Sequence, residues 1–196
     1  SPKEGESLKS DQMEENRWRI PINFSNCGLI IVGWFQGRME VGARALGARS
    51  IVARPDSIAL RDRINTNIKN REGWRPFSPS VADPNVVKQF WREARHASPF
   101  MAIALDSAGD ESLIAGVSHI DGTSRVQIMR PEDNLRYARL IEGVGHWTGI
   151  PMVLNTSLNS RDQPIVCTPM DALQTFHTTG LDALVLGSSL IRKRAG

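Results

Sequence analysis

Apolar positions along the chain fall into short runs and four-residue stripes. The first nineteen residues, SPKEGESLKSDQMEENRWR, carry no such periodicity and read as a polar linker or tail. From Leu29 to Phe35 a β-branched run closes on glycine and tryptophan, which predicts a buried strand. A glycine-punctuated loop, with room for a short helix, follows to Ser50. Pro55-Asp56-Ser57 then opens a helix whose apolar residues Leu60, Ile64 and Ile68 recur at i+4. That spacing groups Arg61, Asn65 and Lys69 on a neighbouring face. Gly73 ends the helix or lies just beyond it.

The residues from Pro76 to Val81 read as extended, and Asp83-Pro84 as a helix cap followed by a first-turn proline. Val87, Phe90, Trp91 and Ala94 are the expected apolar face of that second helix. Strands are expected over Phe100 to Leu105 and Ser124 to Ile128, with His119-Ile120-Asp121-Gly122-Thr123 between them. A third helix from about Asn134 to Thr148 turns Tyr137, Ile141 and Val144 inward and stops at Gly149-Ile150-Pro151. Pro151 to Leu154 reads as a strand leading into the polar segment Asn155 to Asn159. Thr168, Pro169 and Asp171 announce a capping box, Gly180 closes that helix, and Leu184 to Leu186 with Leu190-Ile191 give the last strand. Strands and helices alternate without a repeat, which points to an α/β or α+β open sheet with flanking helices.

Bulk properties narrow the classes. At 196 residues, 40% hydrophobic and 23% charged, the chain fits one domain with a tail, residues 1–19 and 20–196. No apolar run approaches the ~18 residues of a membrane span, and no secretory signal is legible, so a soluble cytoplasmic protein is expected. The start on Ser-Pro rather than Met suggests a piece of a longer protein or an added segment. Cys27 and Cys167 lie far apart at no metal-ligand spacing and are expected to be buried structural thiols in a reducing compartment. The net charge is only +3, but between Arg38 and Arg75 nine basic residues face four acids, a local +5. Such a stretch is either a solvated face or an anion site.

Four polar clusters could carry chemistry: Gly37 to Ser50, Lys69 to Phe77, His119 to Arg125, and Asn155 to Asn159. Each also has a plain structural reading. Glycines at 37, 42 and 47 fit neither of the common phosphate-loop patterns. Lys69 and Arg71 suit a helix C-terminus, His119 and Asp121 could brace a turn, and Asn155 to Asn159 could be a polar loop. Taken together they supply guanidinium forks, an ammonium and hydroxyl-bearing side chains, the donors that a phosphate chain needs. Two cations ~6 Å apart repel by about 3 kcal/mol at an effective dielectric of 20, so grouping them in one cleft asks for an anion. There is no nucleophile elbow, CxxC pair or HxxxH, and His96, His119, His146 and His177 are dispersed, so no transition metal is expected in this chain.

Four long segments in order, VGWFQGRMEVGARALGARSI, RINTNIKNREGWRPFSPSV, HIDGTSRVQ and GIPMVLNTSLNSRDQPIVCTPMDAL, resemble the C-terminal domain of the nodulation-factor, cephamycin and aminoglycoside O-carbamoyltransferases. The resemblance runs from Val32 to about Leu190. It implies a YrdC/Sua5-like open twisted sheet with flanking helices, whose Lys-x-Arg and Ser-x-Asn pairs would be Lys69-Asn70-Arg71 and Ser157-Leu158-Asn159. It further implies formation of carbamoyl-adenylate and pyrophosphate from carbamoyl phosphate and ATP, with Mg2+ accompanying the ATP. Transfer to an acceptor hydroxyl would fall to an N-terminal, metal-bearing Kae1-like domain whose histidine-rich motif this chain lacks.

Carried over by position, Arg44, Arg75 and Arg125 would hold carbamoyl phosphate, with His119 and Asp121 orienting Arg125 or the carbamoyl amide. Lys69 and Arg71 would clamp the ATP phosphates, and Ser157 and Asn159 would meet the α-phosphate or its Mg2+. Lys69, Arg75, Arg125 and Ser157 are the implied catalytic set. Val41 and Ala43 stand where the family motif EFGPRALG has Phe and Pro, which loosens the loop before Arg44. A different class of reading, a nonenzymatic nucleotide- or RNA-binding module, would want aromatics among the basic residues. Only Trp74 and Phe77 are there, so nucleic acid is not expected as a partner.

Overall fold

Nine strands and four α-helices alternate along residues 30–193, the part of the chain that the computed structural model describes. They are β1 (Val32–Phe35), β2 (Arg49–Ala53), α1 (Ile58–Asn67), β3 (Ser78–Val81), α2 (Pro84–Phe90), β4 (Leu105–Asp106), β5 (Thr123–Ser124), β6 (Gln127–Ile128), α3 (Pro131–Thr148), β7 (Met152–Ser157), α4 (Pro169–Thr178), β8 (Ala183–Leu186) and β9 (Ser189–Arg192). The expected polar tail over residues 1–19, Cys27 and the first residue of the opening strand, Leu29, lie outside the described residues.

Seven strands form one mixed sheet in the order β6-β3-β7-β2-β1-β8-β9, and β4 and β5 pair separately. Alternation along each strand divides the core in two. Ile51, Leu154 and Leu184 face α1, α2 and α4, meeting Leu60, Ile64, Val87, Phe90 and Phe176. Val32, Trp34, Val52, Val153 and Val185 face α3, meeting Tyr137, Ala138, Ile141 and Val144. The result is an open sheet covered by three helices on one side and one on the other.

Helix boundaries follow the caps. Ser57 accepts from Leu60 N ahead of α1, and Asp83 accepts from Asn85 N ahead of α2. Thr168 and Asp171 form a complete capping box on α4, and Gly149 ends α3 at φ 81°. Helix α2 stops at Phe90, so Ala94 belongs to the next short turn rather than to its apolar face.

Several strand expectations need correction. The run Phe100 to Leu105 is irregular apart from its last residue, because Met101 sits at φ 54°, outside the extended region, and Phe100 and Ile103 are exposed. Ser124 to Ile128 is not one strand: Ser124 pairs with Leu105 in the small sheet, Gln127 with Ser80 in the large one. The final strand is a hairpin, with Gly187 at φ 60° turning β8 into β9. Strand β2 stands where a loop was expected, and β7 runs on through Asn155 to Ser157. Cys167 is exposed rather than buried.

Candidate functional site

Strand register decides where the polar clusters meet. Strand β7 is antiparallel to β2 and β3, with Ser157 opposite Ser50 and Asn155 opposite Ser78, and β3 is parallel to β6, with Ser80 opposite Gln127. The C-terminal end of β7 therefore coincides with the N-terminal ends of β2, β3 and β6. Arg125 lies two residues before Gln127, Arg75 three before Ser78, and the loop holding Arg44 leads straight into Arg49. One end of the sheet gathers all four polar clusters.

Lys69, just past α1, reaches the end of β7. Its Nζ donates to Ser157 O (2.5 Å), Asn159 Oδ1 (2.7 Å) and Asn159 O (3.0 Å), with Ser157 Oγ at 3.2 Å. Ser157 Oγ in turn donates to Asn159 Oδ1 at 2.6 Å. The side chain is buried, and that burial, with the nearby Arg71 charge, pushes its pKa from 10.5 down to about 7. Four oxygens pull the other way, since only an ammonium brings three donors to them.

Arg71 donates from Nε to Asn65 Oδ1 at 2.7 Å and lies over the Phe77 ring, 5.0 Å from its centroid. Burial, then the Arg75 charge, lower its pKa to about 10. Asn65, fully buried on α1, ties down the rest of the segment by donating to Gly73 O (3.0 Å) and Arg75 O (2.9 Å). The stripe arithmetic grouped Asn65 with Lys69, but its role as the staple of the 70–75 segment is set by tertiary contact. Phe77 is buried and covered by Arg71, so Trp74 alone presents an exposed ring among these cations.

The loop before β2 is held from both sides. Glu40 accepts from Leu46 N (2.6 Å), Ala48 N (2.9 Å) and Arg49 N (3.0 Å). Asn155 Nδ2 donates to Ala45 O (3.1 Å), Gln127 Nε2 to Leu46 O (3.0 Å), and Trp34 Nε1 to Gly47 O (2.9 Å). Arg49 lies over Phe35, 3.5 Å from the ring centroid, and donates to Gln36 O and Gly37 O. The carbonyls of Ala45, Leu46 and Gly47 are thus each matched by a side-chain donor. Arg44 is exposed at the rim of this anchored loop, and its charge and that of Arg125 lie close enough that Arg44 lowers the Arg125 pKa after burial does. Glu40 and Gln127 were not singled out from the sequence, and Asn155 only as the first residue of a polar cluster. The available signal was a polar residue in the middle of an apolar strand pattern, as in VQI and MVLNTS.

The turn before Arg125 is braced by its own side chains. Asp121 accepts from Thr123 N (3.0 Å) and Thr123 Oγ1 (2.8 Å), and Thr123 Oγ1 meets His119 Nδ1 at 3.0 Å. Asp121 therefore acts on Thr123 and is exposed, whereas His119 lies beside Arg125, whose charge adds to burial in lowering the imidazole pKa.

Arg54, Arg61, Arg95 and Arg161 each sit within 4.0 Å of a carboxylate. Among the described residues Arg44, Lys69, Arg71, Arg75 and Arg125 have no such ion pair and gather at this end of the sheet, where Arg49, also without one, is taken up by backbone carbonyls. Charge left unneutralised inside a half-buried site marks it for an anion. No group of three or more His, Cys, Asp or Glu residues among the described residues could hold a metal ion.

Comparison with known proteins gives the family and the fold. The family described as Carbamoyltransferase C-terminus matches residues 28–193. Nodulation protein NolNO of Sinorhizobium fredii is 44% identical over 166 residues, covering 84% of this chain and 24% of that protein. The 3'-hydroxymethylcephem-O-carbamoyltransferase of Amycolatopsis lactamdurans is 31% identical over 166 residues, covering 85% of this chain and 31% of that protein. The chain thus spans between a quarter and a third of the length of these relatives. Full-length HypF, solved in a phosphate- and nucleotide-bound form, superposes with a TM-score of 0.56 at 16% identity, over 81% of this chain and 19% of that one. That likeness shows the fold, the YrdC/Sua5-like open sheet with flanking helices.

Proposed function

This chain belongs to the carbamoyltransferase C-terminus family, and on that premise we propose that it forms carbamoyl-adenylate and pyrophosphate from carbamoyl phosphate and ATP. Water cleaves carbamoyl phosphate to carbamate and phosphate, and the carbamate oxygen attacks the α-phosphorus of ATP, expelling pyrophosphate. The remaining length of the relatives is where an acceptor site and a Kae1-like transfer domain would lie. The observation that carries this reading is the group of five unpaired cations, Arg44, Lys69, Arg71, Arg75 and Arg125, at one end of the sheet beside Ser157 and Asn159.

In this reading Lys69 and Arg71 clamp the ATP phosphates, and Ser157 Oγ would meet the α-phosphate or, together with Asn159 Oδ1, hold a Mg2+ riding on it. Their two oxygens suit a hard cation that keeps most of its waters and its phosphate ligands. Arg44, Arg75 and Arg125 hold carbamoyl phosphate, and the braced turn of His119 and Asp121 sets the height of Arg125. Because the nucleophile comes from the substrate, these residues contribute positioning and charge stabilisation.

The direct test is exchange of labelled pyrophosphate into ATP by this chain, which should require carbamoyl phosphate and no acceptor. A folded chain that binds ATP without any exchange would reject the reading and leave a binding module. Separate calorimetric titrations check the division of labour. Arg71→Ala should weaken ATP more than carbamoyl phosphate, and Arg75→Ala or Arg125→Ala the reverse.

Lys69 also makes ATP binding pH-dependent. With its pKa lowered to about 7 in the empty site, the amine is largely neutral at pH 8, and an arriving triphosphate favours the ammonium. Binding at pH 8 should therefore take up a proton, seen as a heat that varies with the buffer's ionisation enthalpy. At pH 6 the ammonium is already present and the uptake should vanish, as it should at pH 8 in Lys69→Met.

A further inference from the structure

The three bonds of the 119–123 turn fix which nitrogen of His119 carries its proton. Asp121, ionised, can only accept, and it lies 2.8 Å from Thr123 Oγ1. A hydroxyl has one proton, so Thr123 gives it to Asp121 and must accept at its other contact, 3.0 Å from His119 Nδ1. The imidazole is therefore the Nδ1–H tautomer, with a bare lone pair on Nε2. That Nε2 atom is buried and has no hydrogen-bond partner, and the Nε donor of neighbouring Arg125 is buried and unmatched as well. A buried acceptor left alone is costly, so the pair calls for a group that donates to one and accepts from the other.

We propose that His119 Nε2 accepts an N–H of the carbamoyl group and thereby selects carbamoyl phosphate over acyl phosphates of the same size. This rests on the reading of the site given above and adds its chemical selectivity. A phosphoryl oxygen cannot serve at Nε2, because lone pair would face lone pair. The carbamoyl group presents N–H and C=O side by side, the complement of Nε2 and Arg125 Nε–H. Acetyl phosphate matches it in size and phosphate charge but carries a methyl where the amine would be. The imidazole stays a neutral acceptor because burial and the Arg125 charge both disfavour its protonation.

The experiment compares the affinities of this chain for carbamoyl phosphate and acetyl phosphate by calorimetry, with ATP as a control. Loss of one such hydrogen bond corresponds to about tenfold, so the chain as it stands should prefer carbamoyl phosphate by roughly that factor. Thr123→Val, which frees the tautomer, and His119→Ala should bring the two ligands near parity, any loss through a displaced Arg125 falling on both alike, while ATP affinity holds. Thr123→Ser should restore the preference. Binding of both ligands at parity by the unaltered chain would overturn the selectivity while leaving the reading of the site in place. Binding of neither would overturn both. A preference that survives Thr123→Val, or a variant that loses ATP instead, would also overturn it. Should the variants fail to fold, nitrogen NMR of the unaltered chain decides, since a proton on His119 Nε2 contradicts the proposal outright.

Discussion

Lys69→Ala is expected to lower carbamoyl-phosphate-dependent exchange by at least about a hundredfold, the loss usual for one preorganised donor. Two effects combine. The ammonium that would meet the phosphates is gone, and the oxygens it held, Ser157 O, Asn159 O and Asn159 Oδ1, lose a charged donor in a buried place. The two half-buried carbonyls left without that donor should cost about 1 kcal/mol in folding stability, read as a lower urea midpoint, while Asn159 Oδ1 keeps its bond from Ser157 Oγ. Lys69→Met separates the effects by preserving volume. If Lys69 served only to tie α1 to β7, a folded Lys69→Met chain would keep its ATP affinity. If it clamps phosphate, ATP affinity falls about as far in Met as in Ala. Lys69→Arg should not rescue, because a guanidinium is larger and its flat fork cannot fill an oxygen cage built for a point charge at a position only 5% exposed.

That Lys69 and Ser157 would meet could be read only through family resemblance. Local chemistry alone specified the helices well: Ser57, Asp83, Thr168 and Gly149 cap where their side chains and backbone freedom require. It failed where tertiary contact overrides local pattern. Strand β2 begins Arg49-Ser50, two polar residues that no strand pattern favours. Arg49 is buried because it stacks on Phe35 and feeds the carbonyls of Gln36 and Gly37, and Ser50 because it lies between Trp34 and Ser157 in the sheet. In the reverse sense, Phe100 to Leu105 has the texture of a strand, yet only its last residue pairs with a strand and Met101 leaves the extended region. A short apolar run does not say what will pair with it.

The same distinction applies to the site. Four of its charged members, Arg44, Lys69, Arg71 and Arg75, lay in a basic stretch that the letters left open between a solvated face and an anion site, and a role for Arg125 came only through the resemblance. The residues that aim them were not legible as such. Gln127 and Asn155 act on backbone groups 81 and 110 residues away, and Asn65 and Glu40 on backbone six to ten residues further on; the letters mark a polar residue in an apolar pattern but not the group it will meet. Ser80, Gln127 and Asn155 come from β3, β6 and β7, and they bond one another only because strand register sets them side by side on the α3 face.

Gly47 shows how strongly the arginine loop depends on this core. It lies at φ 112°, and a Cβ there would stand 2.3 Å from Tyr137 Cδ1 and 2.5 Å from Cγ. Tyr137 cannot yield, being fully buried among Trp34, Ala138 and Ile141 on α3. Gly47 O is also held by Trp34 Nε1 and, at 3.3 Å, by Asn134 Nδ2, so the backbone cannot easily shift. Backbone strain of about 1–3 kcal/mol and overpacking of similar size should combine, so Gly47→Ala is expected to destabilise the chain by about 3 kcal/mol or more. Trimming the obstacle separates fold from function: Gly47→Ala with Tyr137→Leu should recover part of the stability, because the added methyl then occupies space the ring has left. Carbamoyl phosphate affinity should stay low in that double variant, since the loop must still adopt a φ that alanine resists and Arg44 moves with it. Full recovery of affinity together with stability would show that the position of Arg44 does not depend on the turn at Gly47.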